Sequence, residues 1–427
     1  MALPLHSIRI ADFSWVWAGP YCTNILAAWG AEVIKVESPR RADVTRTLAP
    51  FAYADPATQE AFLEWVSVPW MDRGPAPCDP PSVNQAGYFN SINHNKLSTA
   101  IDLAKPQGVA LAKRLVAISD IVVENFSTRV MRGFGLDYEA LRQVKPDIVY
   151  ISLSAAGQEG PYRDHVFYGA PQVSLSGLAS LTGYEGGPPM PVAVSYGDPV
   201  AGLYGAFAIL AALRHRKATG HGQYVDLSQW EAVMAQLPEG LLGYAFNGRI
   251  RPRMGNHDDV MAPHNVYPCD GEDSWVSIAV GSEREWRALC AATGHPEWER
   301  DPRFADAFLR HRNQDALDSL LADWTRGRTA EDVTEMLQRA GVAATPSYTN
   351  EGVCNHPHLN DRRFFVTSDH PETGQHRHAH TQFMINESRG AGRRAPLLGE
   401  HTEQVLCSLL GVTPEELERL RAEKVVS

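Results

Sequence analysis

Apolar and polar positions along the chain alternate short strands with helices from the start. Ser7–Asp12 reads as a β run, Gly19-Pro20 opens a helix carried through Ala28, and Ala31–Glu37 is a second strand. A strand, a helix and a strand within about 35 residues make a βαβ unit, which implies a parallel sheet. The pattern returns with a helix near Pro106–Ser119, a strand at Asp120–Glu124, a helix over Tyr138–Val144 and a strand at Asp147–Ser152. A long helix beginning near Pro199 ends in Arg214-His-Arg-Lys217 before Gly220, basic side chains at the negative helix end followed by a stop. Gln223–Ser228 is a strand, with a helix after it through Leu237. From about Arg253 to Ala343 short strands such as Trp275–Ala279 mix with helices such as Arg284–Ala292, the pattern of a smaller α/β unit. The tail closes on a helix whose start is written by Val412, Thr413, Pro414, Glu416 and Leu417: staple, cap, first-turn proline, capping-box acid and staple partner.

An open α/β sheet binds ligands beyond the carboxyl ends of its strands. Residues 13–20, 37–41, 124–129 and 152–162 are therefore the candidate site loops. None contains G-x-G-x-x-G or a Walker loop, which disfavours a nicotinamide dinucleotide. Between residues 50 and 87 the pattern breaks into proline- and aromatic-rich stretches such as Val68–Pro81. A long insertion of this kind is a site lid or interface arm, or else plain surface.

Composition narrows the class. A length of 427 residues suits two or three domains, and 44% apolar with 21% charged residues is ordinary for a globular protein. The net charge of -11 argues against a protein that coats nucleic acid or an anionic membrane. The longest apolar stretch, Ala201–Leu213, falls short of the roughly 20 residues that span a bilayer, so it reads as a buried helix. The first residues lack the basic region of a signal peptide. Six scattered cysteines without a C-x-x-C pair fit free thiols in a reducing cytoplasm better than disulfides or a zinc site. His376, His378 and His380 alternate along one segment, with His356, His358 and His370 nearby, but no carboxylate or cysteine stands at ligand spacing and no metal is expected. G-x-S-x-G is absent, which removes the signature of a serine hydrolase. The expectation is a soluble cytoplasmic enzyme or enzyme subunit.

A series of motifs then carries a resemblance. Ala31–Glu37, Asn93-His-Asn-Lys96 with Ile101-Asp-Leu103, Val123-Glu-Asn-Phe126, Gly135-Leu-Asp-Tyr138, Gly157–Tyr162, Asp198–Gly202, Thr219–Gln223 and Gly399-Glu-His401 follow one another along nearly the whole chain. In this order they resemble the class III CoA-transferases, the group of formyl-CoA transferase, carnitine CoA-transferase and α-methylacyl-CoA racemase. The resemblance implies a Rossmann-like large domain built from both termini (1–224 and 331–427) and a smaller α/β domain (225–330). It also implies two chains interlocked as rings, and coenzyme A or an acyl-CoA as substrate along the strand ends. Trp17, Ser38, Arg40, Asn125, Phe126 and Arg132 are the CoA-binding residues it suggests. By residue type alone Asn125 is equally a strand-ending turn, Phe126 a core aromatic and Arg40 a solvated charge.

In these transferases an aspartate attacks the donor thioester, giving a mixed anhydride, and the CoA thiolate returns to form an enzyme thioester; one hard exchange becomes several easier ones. The resemblance places this aspartate in a stretch like Tyr-Arg-Asp-x-x-x-Tyr-Asp, and here that stretch reads Tyr162-Arg-Asp-His-Val-Phe-Tyr168-Gly169. Ser154-Ala-Ala-Gly157 also departs from the family's Ser-Gly-Phe-Gly. The expectation is thus a chain with no catalytic residue of its own, Gly169 standing at the aspartate position and Tyr168 and Asp198 accessory to it. Asp164 reads as a surface group, and Asp198 as ordering a helix start beside Pro199. The function that follows is the non-nucleophilic subunit of a heteromeric CoA-transferase, moving CoA to a small organic acid. Its partner would be an aspartate-bearing paralogue, in a heterodimer or heterotetramer like the transferases that activate benzylsuccinate, or else a second copy of itself. The alternatives are a non-catalytic acyl-CoA-binding homologue, and a racemase or isomerase that moves an α-proton with Asp198 and Tyr168.

Overall fold

Six parallel strands form the central sheet: β1 (Arg9–Asp12), β2 (Glu32–Glu37), β3 (Leu97–Ala100), β4 (Ile121–Glu124), β5 (Val149–Ser154) and β6 (Tyr224–Ser228). The computed structural model describes residues 2–38, 40–52, 57–58, 60–61, 64, 82–165, 167–192 and 194–427. The lid or arm expected at 50–87 thus lies largely outside the described residues. The strand order β3-β2-β1-β4-β5-β6 is that of a doubly wound sheet, in which the chain steps outward on one side of β1 and later on the other. The crevice where the direction reverses opens at the carboxyl ends of β1 and β4.

Strands β1 to β5 are buried on both faces apart from partly exposed Arg9 and Glu32 at the starts of β1 and β2, which is why they read as apolar runs rather than as alternation. The strand β3 escaped the sequence reading for a related reason. All four of its residues are buried, but Ser98 and Thr99 are polar, so it shows neither an apolar run nor a period of two. The Ser98 hydroxyl sits where the chain's tail returns; Ser98 Oγ accepts from Gly399 N–H at 3.0 Å.

Helices α1 (Ala18–Ala28) and α6 (Gly197–Thr219) cover one face of the sheet through Cys22, Leu26, Ala206, Ile209 and Ala212. Between them in sequence come α2 (Gly87–Ile92), α3 (Pro106–Ala117), α4 (Tyr138–Val144) and α5 (Gly169–Leu175). The opposite face is covered by Leu111 and Leu115 of α3, Leu141 of α4 and residues of the tail. There the helix Pro414–Ala422 begins as its sequence predicts, Thr413 accepting from Glu416 N–H. Val425 O accepts from Asp102 N–H at 2.8 Å, so the last residues extend the sheet's surroundings. The chain after β6 continues in α7 (Gln229–Met234) and α8 (Pro238–Asn247).

The chain divides into two compact units. The first comprises Met1–Leu178, Val192–Leu241 and Asn360–Ser427; the second comprises Ala179–Pro191 and Leu242–Leu359. The boundaries differ from the expected 225 and 330, because β6 belongs to the first unit's sheet while helix Ala330–Arg339 and strand Ala343–Pro346 belong to the second. The second unit packs these on strands His264–Pro268 and Trp275–Ala279 around Tyr267, Val276, Ile278, Trp286, Leu321, Val333 and Leu337.

The α1–α6 contact needs a residue without a side chain. A Cβ on Gly202 would stand 2.8 Å from Ala18 O and 3.0 Å from Tyr21 Cδ1. Gly202→Val should therefore lower stability in urea by about 1–3 kcal/mol, whereas Gly133→Ala, at a helical glycine with open space around its Cα, should be neutral or slightly stabilising.

Candidate active site

Three cations and three carboxylates lie buried together near the carboxyl ends of β1 and β2: Asp12, Lys35, Glu37, Asp43, Arg46 and Lys96, all at 3% exposure or less. Lys96 Nζ donates to Asp12 Oδ2 (3.1 Å), Lys35 Nζ to Asp43 Oδ2 (2.9 Å), and Arg46 grips both oxygens of Glu37 at 2.8 and 2.9 Å. Burial pushes the Asp12 carboxyl up, but Lys96 and Lys35 more than offset this and hold it below its ordinary value. Burial brings Lys96 down to about 8 against the pull of Asp12.

These charges also bind the loop between β1 and α1. Lys35 Nζ donates to Ser14 O at 2.7 Å and Lys96 Nζ to Pro20 O at 2.9 Å. Asp12 Oδ1 accepts from Ser14 N–H, and Asp43 Oδ1 accepts from Val16 N–H at 3.1 Å. Across the crevice, Asn125 Oδ1 accepts from Trp15 N–H (2.8 Å) and Asn125 Nδ2 donates to Trp15 O (2.7 Å). Val16 is held at φ +65°, a conformation that a β-branched residue adopts only when its surroundings impose it.

The loop delivers the first N–H of α1 to a carboxylate. Asp198, in the first turn of α6 and 8% exposed, accepts from Ala18 N–H. Burial raises its pKa to about 6, more than that hydrogen bond lowers it. Gly169, at the start of α5, lies directly against the same group: a Cβ there would fall 2.9 Å from Asp198 Oδ2 and 2.1 Å from Ser195 Cβ. An aspartate at 169 has no room. The carboxylate beside Gly169 comes from α6. Along the sequence Asp198 reads as ordering a helix start. Its burial and its neighbour in α5, neither visible along the sequence, are what single it out.

Aromatic groups frame this carboxylate. Tyr88 is pushed above its ordinary value by burial and by Asp198 and Asp43 nearby, so its hydroxyl keeps its proton. Trp17 meets the Tyr88 ring edge-on at 5.5 Å, and its indole Nε1 is buried with no hydrogen-bond partner among the described residues. An unpaired buried donor costs about 1–3 kcal/mol unless something accepts from it.

The other suggested residues divide. Phe126 packs edge-on against Trp15 at 5.4 Å, and both amide atoms of Asn125 are engaged with Trp15. Ser38 Oγ accepts from Arg40 N–H, and the exposed Arg40 guanidinium lies 3.7 Å from Asp102. Arg132 is exposed, 3.5 Å from Asp137, and Tyr168 is 72% exposed. Arg132, Arg129 and Arg163 line a cavity of 730 Å³ beyond β4 and β5, with Glu124, Tyr138 and Tyr224 also on its walls. Glu124, buried, is raised to about 7. Asp164, hydrogen-bonded by Arg129 and Thr128 at the surface, is lowered to about 2. His94 and His378 stack at 3.5 Å, and among the described residues no three His, Cys, Asp or Glu side chains could jointly hold a metal ion. Among them, too, no helix is long and apolar enough to cross a membrane.

The raised pKa of Asp198 links to stability. The folded carboxyl keeps its proton to about pH 6, while its ordinary value is 3.8, so the folded state binds more protons across that window. The stability this confers is present below about pH 4 and is lost as pH rises through 6. Asp198→Asn removes the loss: it should match the native chain at pH 4 and exceed it by roughly 2–3 kcal/mol at pH 7 in urea unfolding.

Comparison with known proteins bears on the whole chain. Residues 5–402 match the model of CoA-transferase family III. The chain is 32% identical to the succinyl-CoA–D-citramalate CoA-transferase of Chloroflexus aurantiacus over 424 residues, covering 99% of this chain and 98% of that protein. It is 30% identical to the beta subunit of that organism's succinyl-CoA–L-malate CoA-transferase, over 99% of this chain and 98% of the subunit. A CaiB/BaiF family protein from Brucella suis superposes with a TM-score of 0.82 at 29% identity, over 96% of this chain and all of that one. The chain belongs to CoA-transferase family III.

Proposed function

We propose that this chain moves CoA from an acyl-CoA donor to a carboxylic acid with Asp198 as its nucleophile. The observation that carries the reading is the buried Asp198 carboxylate, accepting from Ala18 N–H against the bare Cα of Gly169. A carboxylate oxygen of Asp198 attacks the donor thioester carbonyl, the C–S bond breaks, and CoA leaves as the thiolate. The thiolate then attacks the aspartyl carbonyl of the anhydride, expelling the donor's acid and leaving an aspartyl–CoA thioester. The incoming carboxylate repeats both steps in reverse order of bond making and returns Asp198 free. A pKa of about 6 leaves the group mostly ionised near pH 7 yet poorly solvated, which favours attack. The unpaired Trp17 N–H beside Tyr88 supports a place for an acyl oxygen. Arg129, Arg132 and Arg163 on the cavity beyond β4 support a seat for the CoA phosphates.

Relatives named for succinyl-CoA support succinyl-CoA as donor and a small dicarboxylic acid as acceptor. The helix α6 is apolar on its outer side as well, with Leu203, Phe207 and Leu210 at 52, 73 and 45% exposure. A helix apolar all round belongs inside an assembly, and a second family chain is the cover that fits the interlocked arrangement.

A split-role heteromer remains the second reading, favoured by relatives that are named alpha and beta subunits. The purified chain alone should exchange isotope-labelled succinate into succinyl-CoA, and Asp198→Ala should reduce that exchange by about a thousandfold or more. A lone chain that is inactive until a paralogue is added, with Asp198→Ala then harmless, contradicts the proposal and supports the second reading.

A further inference from the structure

We infer that Asp43 is a positioning residue for the transfer, acting by holding Val16 in the left-handed conformation that aims Trp17 and the Ala18 N–H at Asp198. The inference rests on Asp198 as the nucleophile and concerns how the group beside it is held.

Three observations carry it. Val16 lies at φ +65°, where a β-branched residue is under strain without an external hold. Asp43 supplies the hold: its Oδ1 accepts from Val16 N–H (3.1 Å), Thr45 N–H (3.0 Å) and Thr45 Oγ1 (2.8 Å). Its Oδ2 accepts from Lys35 Nζ (2.9 Å), which also donates to Ser14 O, two residues before Val16. Asp43 thus fixes the loop from two sides. On the far side of Val16 come Trp17, with its unpaired indole N–H, and Ala18, which donates to Asp198. A rotation of Val16 to negative φ swings both donors together.

The consequence is separable from the ion pair. If Asp43 matters through Val16, a residue that adopts positive φ freely should make it dispensable for chemistry, though not for stability, because Lys35 stays unpaired. Glycine is that residue. Proline, fixed near φ −65°, is its opposite and leaves every buried charge in place.

The test uses the full chain with succinyl-CoA and hydroxylamine, which converts an aspartyl thioester to the hydroxamate and adds about 15 Da to the Asp198 peptide, a route open to activated carboxylates in general. Asp43→Ala should slow this labelling about a hundredfold, the cost of a misplaced reacting group. Asp43→Ala/Val16→Gly should regain at least about tenfold of that while its melting temperature stays as low as that of Asp43→Ala. Val16→Pro, which loses the N–H that Asp43 accepts but leaves Lys35 paired, should label as slowly as Asp43→Ala with a melting temperature lowered less than that of Asp43→Ala, and it decides the matter if Asp43→Ala does not fold. Near-UV circular dichroism of Trp15 and Trp17 should be native-like in the double variant and altered in the other two. A double variant that labels no faster than Asp43→Ala, or a Val16→Pro chain that labels normally, overturns the inference. A native chain with no label on Asp198, while the dichroism follows the expected order, overturns the nucleophile and leaves the loop's control by Asp43 standing.

Discussion

The site depends on burying six charges in balance. Asp12, Lys35, Glu37, Asp43, Arg46 and Lys96 are out of water, and each carboxylate meets a cation at 2.8–3.1 Å. Desolvating such groups costs several kcal/mol each, so pairs of this kind are poor sources of stability. What they supply here is direction. A lysine donates three hydrogen bonds and a carboxylate accepts several; those not spent within the pairs go to Ser14 O, Pro20 O, Ser14 N–H and Val16 N–H. Apolar side chains of the same volume could fill this space but could not fix three backbone groups of one loop and a carbonyl in the first turn of α1.

With the loop fixed, helix packing sets the rest. Glycines at 169, 197 and 202 let α5, α6 and α1 approach until a Cβ would collide with Ser195, Gln172 or Ala18. The Asp198 carboxylate sits in that closed space, under-solvated and held by backbone donors. Its raised pKa and the stability it takes from the fold at neutral pH have one cause, its burial.

Much of the sheet was legible in the sequence because five of the strands are apolar or bounded by clear turns, and the tail helix because Thr413 and Pro414 write its start. The strand β3 was not, since Ser98 and Thr99 are polar yet buried, Ser98 meeting the returning tail. The place of Asp198, the proposed nucleophile, was not legible for a sharper reason. Tyr168-Gly169 lies close in sequence to the loop after β5, whereas Asp198 lies nearly thirty positions on and reaches the same point only through the packing of α6 on α1. Spacing along the chain showed a missing side chain where the fold needs an empty one. Asn125 and Phe126 are expected at the CoA site only through the resemblance; in the fold both side chains engage Trp15.

The most direct test of this account is a crystal of the chain soaked with succinyl-CoA and cooled within the turnover time. Continuous density from the Asp198 side-chain carbon to the CoA sulfur, or to a succinyl carbon through the carboxylate oxygen, is the result the account predicts. CoA bound beside an unmodified Asp198, with the covalent link on another residue or on a second, different chain, would contradict it.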